Sequence, residues 1–195
     1  MKRIAFATLA TLGLAQAAYA GDGLYYGIGL GLGSTQTVSP VVPEYDATAT
    51  DYSLALTLGY RFAASGALTY GIEGNLDVSS GNTMSGSGID ACTGNSPSWC
   101  EVDTVLRLRG TMTNVFGGGS ELTTSVGLVM VQGRSENGEL NYLSTTGRGF
   151  SIGLAWQKVG MPVRVDLNYD AVRDDNQTSF ERELDMIGLR VSYMF

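Results

Sequence analysis

Glu73 and Asp77 stand four residues apart in a segment of alternating apolar and polar residues, so both carboxylates fall on one face of a strand. Paired carboxylates are the tools of general acid–base chemistry. Arg107 and Arg109, on the next alternating segment and on the same parity, offer them a simpler role as partners in ion pairs across a hairpin. The chain contains no histidine, which removes the usual general base and the commonest metal ligand. Gly27, Gly29, Gly31 and Gly33 lack the spacing of a nucleotide-binding loop and open no helix. Asp174 and Asp175 are adjacent carboxylates but make an incomplete calcium ligand set. These residues specify no catalytic centre, cofactor or metal, and no enzymatic activity is expected.

The elements that carry them share one pattern. Eight segments alternate strictly, with period two, over about ten residues, which is the signature of a strand. Tyr26, Ile28, Leu30 and Leu32 alternate with the four glycines. Tyr52 to Phe62 alternate with Ser53, Ala55, Thr57, Gly59 and Arg61. Leu68, Tyr70, Ile72, Leu76 and Val78 oppose Thr69, Gly71, Glu73, Asn75 and Asp77, and Val102, Leu106 and Leu108 oppose Asp103, Arg107 and Arg109. The fifth segment, Leu122 to Met130, is less regular, because Val129 and Val131 fall off the face of Val126 and Leu128. The last three run through Phe150–Gln157, Val163–Asp170 and Ile187–Phe195. Residues 63–66, 113–120 and 158–161 read as short turns, and residues 35–50, 80–100, 134–147 and 173–182 as long polar loops. Short turns at one end and long loops at the other is the layout of a membrane barrel, with turns in the periplasm and loops outside. The expected fold is all-β, an eight-stranded antiparallel transmembrane β-barrel.

A soluble barrel would turn the apolar face inward, and three features oppose this. Ten ionisable residues lie within the segments, all on the polar face: Arg61, Glu73, Asp77, Asp103, Arg107, Arg109, Arg164, Asp166, Asp170 and Arg190. Five are basic and five acidic, which suits a closed lumen in which an unpaired charge costs several kcal/mol. The glycine face of the first segment leaves room for long arginines in the narrow interior of an eight-stranded barrel. Tyr60, Phe62, Trp156, Tyr193 and Phe195 near the turns, with Tyr52 and Phe150 near the loops, form two aromatic girdles on the apolar parity. About ten residues at ~3.4 Å, tilted ~40°, rise roughly 26 Å, the height of a bilayer's apolar band.

The first residues read as an export signal. Lys2 and Arg3 precede an apolar run from Ile4 to about Ala17, and Ala18-Tyr19-Ala20 forms a cleavage site before Gly21. The expected organisation is a signal peptide over residues 1–20, cleaved after Ala20, and a barrel domain over residues 21–195. Loss of Lys2 and Arg3 leaves 10 basic residues against 19 acidic ones, with no basic footprint for nucleic acid. In an exported chain the two cysteines, Cys92 and Cys100, are expected to form a disulfide within the loop of residues 80–100.

Ile187, Leu189, Val191, Tyr193 and Phe195 look like the closing strand of outer-membrane proteins, an alternating apolar strand ending in phenylalanine. With the export signal, the chain resembles the small outer-membrane barrels of the OmpA, OmpX and Opa-like type. The resemblance implies location in the bacterial outer membrane, contact with its lipid and lipopolysaccharide, and an assembly signal in that strand read by the barrel-insertion machinery. No peptidoglycan-binding domain is expected after Phe195. The expected role is that of a non-enzymatic surface barrel, structural, adhesive or surface-binding, whose four loops can meet an extracellular ligand above a lumen plugged by side chains. The alternative is a narrow porin-like channel for small solutes.

Overall fold

The computed structural model describes residues 23–39, 45–62, 68–86, 89–90, 99–136, 142–174 and 183–195. Eight long strands carry the fold: β1 (Gly23–Ser39), β2 (Tyr45–Arg61), β3 (Leu68–Ser79), β6 (Trp99–Phe116), β7 (Ser120–Glu136), β8 (Tyr142–Lys158), β9 (Val163–Asp174) and β10 (Glu183–Met194). Two short strands, β4 (Ser85–Gly86) and β5 (Ile89–Asp90), form a small ladder beside β2. The long strands pair in the order β1-β10-β9-β8-β7-β6-β3-β2, every pair antiparallel. β1 also pairs with β2 from Gly23↔Arg61 to Ser39↔Tyr45, so the sheet closes on itself. Closure satisfies each strand's backbone groups laterally, the condition for crossing hydrocarbon with strands.

The wall is taller than the alternation suggests. Residues 35–50 and 134–147, read as loops, are mostly strand: β1 runs to Ser39 and β2 starts at Tyr45, β7 runs to Glu136 and β8 starts at Tyr142. Above the apolar band β1 from Thr35 to Thr37 and β2 from Ala47 to Thr50 are polar or small on both faces. Thr35 and Thr37 point inward and Gln36 outward, so pairing continues where the hydropathy contrast has ended. In the connection of residues 80–100, β4 and β5 pair and β6 begins at Trp99. β9 likewise extends to Asp174 and β10 begins at Glu183, which trims the connection of residues 173–182. The 113–120 turn tightens to Gly117–Gly119, and positive φ at Gly118 and Gly119 makes glycine the natural residue there.

A register shift between Val102 and Thr104 overturns the assignment of two side chains. Val102, assigned to the outward face, is buried inside the barrel. Asp103, assigned to the lumen, is only half-buried at the irregularity. An extra residue on one strand reverses the parity of everything beyond it.

The outer surface is an apolar belt. Leu30, Leu54, Ile72, Leu108, Val126, Ile152, Leu167 and Leu189, one from each long strand, are all exposed. Apolar cover all the way round exceeds what a soluble monomer tolerates and matches lipid. Aromatics edge it. Tyr60, Phe62, Tyr70, Phe116, Trp156 and Tyr193 are exposed toward the short-turn end, and Tyr52 and Phe150 toward the other. Phe195 follows β10, and its ring stacks on that of Tyr26 with centroids 5.2 Å apart.

Candidate functional site

The interior has two tiers, and the pairing order decides what meets inside. In a ring of eight, β3 stands opposite β9 and β6 opposite β10. Inward side chains of these four strands therefore face one another across the lumen.

The lower tier is polar. Glu73 accepts hydrogen bonds from Arg164 Nη1 at 2.5 Å, Arg109 Nη2 at 3.1 Å and the Tyr25 hydroxyl at 2.9 Å. Arg109 also donates to Asn75 Oδ1 at 2.5 Å and to Asn168. Arg107 donates to Asp170 through Nε at 3.0 Å and Nη2 at 2.6 Å, and to Asp77. Arg190 lies 3.4 Å from Asp77 and 3.3 Å from Asp166, and Asp166 lies 2.7 Å from Arg164. Nearer the short turns, Arg61 pairs with Glu121 at 3.2 Å and sits over the Tyr25 ring. Nine of these ionic residues, Glu73, Asp77, Arg107, Arg109, Glu121, Arg164, Asp166, Asp170 and Arg190, are buried. The pairs of Arg107 with Asp77, Arg109 with Glu73, and Arg164 and Arg190 with Asp166 join neighbouring strands or one strand. Those of Arg107 with Asp170, Arg164 with Glu73, and Arg190 with Asp77 bridge the lumen. Among the described residues Asp103 joins none of these pairs.

Glycines make room for the bridges. A Cβ at Gly153 would press on Arg109 Nη1 and lie 3.1 Å from Asn168 Oδ1, and one at Gly59 would press on the Tyr25 ring. The inward glycines of β1 border a cavity of about 50 Å³ above the ionic tier, lined also by Thr35, Ser53, Asp51, Asp77, Arg107 and Arg190. Chemically the carboxylates are held by guanidiniums. Glu73 and Asp77 each hold two, an arrangement suited to fixed ion pairing and not to proton transfer.

The upper tier is mainly apolar, with the buried Thr35 and Thr37 of β1 at the same height. Met84, Trp99, Val102, Val105, Val129, Val131, Val172, Leu184 and Met186 pack with Ala47 and Ala49 into one buried cluster inside the wall. This accounts for the irregular fifth segment: Val129 and Val131 point inward to this cluster while Val126 and Leu128 face outward. Met84 comes from the connection after β3. That connection is tied to the rim by Ser80 N to Tyr52 O, Asn82 N to Asp51 Oδ1 at 3.0 Å, and Met84 N to Cys100 O at 2.8 Å.

Neither a protein-family model nor a curated protein sequence matches the chain. Solved structures do. Ail, the attachment invasion locus protein of Yersinia pestis, in complex with the heparin analogue sucrose octasulfate, is 13% identical over 89% of this chain and 99% of that one, with a TM-score of 0.50. Neisserial surface protein A (NspA) is 11% identical over 89% of this chain and 100% of that one, with a TM-score of 0.44. The chain has the fold of the small outer-membrane β-barrels. At these identities the likeness is one of fold.

On this outer-membrane barrel fold, Ile187, Leu189, Val191 and Tyr193 form the outward row of β10, which zips to β1 from Gly27↔Met194 to Val38↔Glu183. Cys100 is buried at the start of β6. Its expected partner Cys92 lies outside the described residues, as do residues 1–20, Asp175 and the tips of the long connections. Sequence reasoning missed Tyr25, Asn75, Glu121 and Asn168 as members of the polar tier. All four share the inward parity of their strands, so the alternation contained them, but attention to charge within the apolar span passed over them. The upper tier left one trace, the out-of-phase Val129 and Val131.

Proposed function

We propose that the chain is an exported outer-membrane barrel, without enzymatic activity, that presents its outer rim to an extracellular partner and conducts little or nothing. The observation that carries this reading is the occupied lumen, an ion-pair network below and an apolar cluster above. An interior closed above by the apolar cluster offers no through-path for solutes, and Glu73 and Asp77 are each held by two guanidiniums. The rim, where β1, β2, β7 and β8 rise beyond the apolar band, is then the surface left for recognition, as loops on rigid scaffolds commonly are. Ail was solved with a polyanion; this chain's acidic excess argues for a neutral or basic partner surface, a host protein or glycan, instead.

In this reading residues 1–20 direct export and are cleaved after Ala20, Cys92 and Cys100 brace the connection of residues 80–100, the outer belt contacts lipid and lipopolysaccharide, and the β10 row with Phe195 is read by the barrel-insertion machinery. The test is adhesion of cells displaying the barrel, with and without the tips of the loops at residues 40–44, 91–98, 137–141 and 175–182, beside planar-bilayer recordings. Loss of adhesion on tip deletion, with heat-dependent gel migration intact, supports the reading. Stable porin-scale conductance of the wild type would replace it with the pore.

A further inference from the structure

The two tiers differ in what they do to water. In the polar tier Arg109 Nε, Arg164 Nε, Arg190 Nε, Asp166 Oδ2, Ser151 Oγ and Ser192 Oγ are buried without a protein hydrogen-bond partner, whereas among the described residues of the apolar tier one atom, Trp99 Nε1, is so placed. Buried groups of this kind are normally met by internal water, and so many in one compartment imply a hydrated interior. Above them lies the cavity of about 50 Å³ beside Asp51, whose Oδ2 also lacks a protein partner. A space this size admits a few waters at most. The cavity's roof is the apolar tier, where Val102, Val105 and Met186 meet it and Met84 and Trp99 are fully buried behind. An apolar constriction closes a pore by refusing water, and needs no charged gate.

We infer that the barrel is a polar half-channel, wet from its short-turn end to the Asp51 cavity, and that the apolar tier alone closes it, with the strap Ser80–Met84 as the removable part. The inference rests on reading the chain as a membrane barrel. The strap is the weak point because it belongs to no barrel strand. Rim hydrogen bonds hold it: Ser80 N to Tyr52 O, Asn82 Nδ2 to Thr50 O, Thr83 Oγ1 to Glu101 and Met84 N to Cys100 O, with one bridge from Ser85 to Thr48 beyond. Withdrawing it extracts the Met84 side chain from the cluster and breaks no wall ladder. The other tier members sit on the closed wall or at its end and cannot leave.

The ionic tier and the apolar tier make opposite predictions. In planar bilayers, folded Met84→Ser and Val131→Ser proteins should raise conductance over wild type by about tenfold or more, because each puts a hydroxyl into the constriction. Arg107→Ala should leave conductance near wild type, since the apolar tier persists. Folding is checked separately by the heat-dependent gel shift, so failure of the barrel reading is distinguishable from failure of the gate. A second measurement needs no variant. Wild-type barrels in vesicles, exposed to a water-borne oxidant and mapped by mass spectrometry, should oxidise Met194, inward at the short-turn end, about tenfold faster than Met84. Conductance that rises with Arg107→Ala and not with Met84→Ser, or equal oxidation of Met84 and Met194, would overturn the inference.

Discussion

Arg164 on β9 and Glu73 on β3 stand on opposite walls of the barrel, and their side chains meet across the lumen with Nη1 and Oε2 2.5 Å apart. Each is almost fully buried, and Glu73 serves Arg109 as well. Removing the carboxylate would leave Arg109 with only the amides of Asn75 and Asn168. We expect Glu73→Ala to destabilise the folded barrel by about 3 kcal/mol, the lower part of the range for breaking a buried pair. The lower part applies because Arg164 keeps Asp166 at 2.7 Å. Urea unfolding in detergent micelles measures the loss; a change below about 1 kcal/mol, the size of an exposed pair, would contradict it.

Glycines divide into those that space the wall and those that do not. A Cβ at Gly127 would lie 2.6 Å from Arg109 Cα and against the Leu108 carbonyl, both backbone atoms of the neighbouring strand. At Gly188 a Cβ would meet nothing within 4 Å. Gly127→Ala should cost about 1–3 kcal/mol through a forced shift of the sheet. Gly188→Ala should be neutral or gain about 0.4–1 kcal/mol by restricting the unfolded chain. The pair measured in one unfolding series checks both signs.

The barrel was legible because a lipid-facing strand must alternate, and Tyr26 to Leu32 or Phe150 to Trp156 can do so only as strands. Charge on the inward parity was legible for the same reason. Two things were not. Beyond the lipid, Thr35, Gln36 and Thr37 alternate in geometry but not in hydropathy, so strand reads as loop. The apolar tier is hidden because it inverts the rule. Val129, Val131, Val172 and Leu184 are apolar on the parity that is polar lower down, and Met84 and Trp99 come from what reads as loop. Pairs across the lumen, such as Arg107 with Asp170, depend on which strands face each other, and alternation within one strand does not encode that.

Cys92 and Cys100 should be joined in the exported protein. Cys100 is buried at the foot of the connection, beside Trp99, and its carbonyl accepts the Met84 N–H. The loop closed is short, so the bond should favour the ordered connection by roughly 2–3 kcal/mol in the chain-entropy account. Since the wall is built elsewhere, Cys92→Ser should leave the heat-dependent gel shift intact. Peptide mass spectrometry of unreduced protein decides it, and two free thiols would reject the bond.

Deleting Phe195 should impair assembly in cells more than stability in the test tube. Phe195 closes the seam between the first and last strands: its N–H donates to Tyr26 O at 2.8 Å, Tyr26 N–H returns a bond at 3.4 Å, and the rings stack. Two backbone hydrogen bonds at about 0.5–1.5 kcal/mol each set the expected thermodynamic loss at roughly 1–3 kcal/mol. The remaining ladder from Gly27↔Met194 upward still holds β1 to β10, so the deleted chain should refold into detergent and keep its heat-dependent migration. In cells the same deletion removes the terminal ring of the outward row Ile187, Leu189, Val191 and Tyr193, and insertion should fail while the chain remains able to fold. The two readouts separate a recognition role from a structural one. Lost refolding in vitro would make Phe195 a structural clasp. Refolding intact with normal outer-membrane levels would show that the closing strand is read without it.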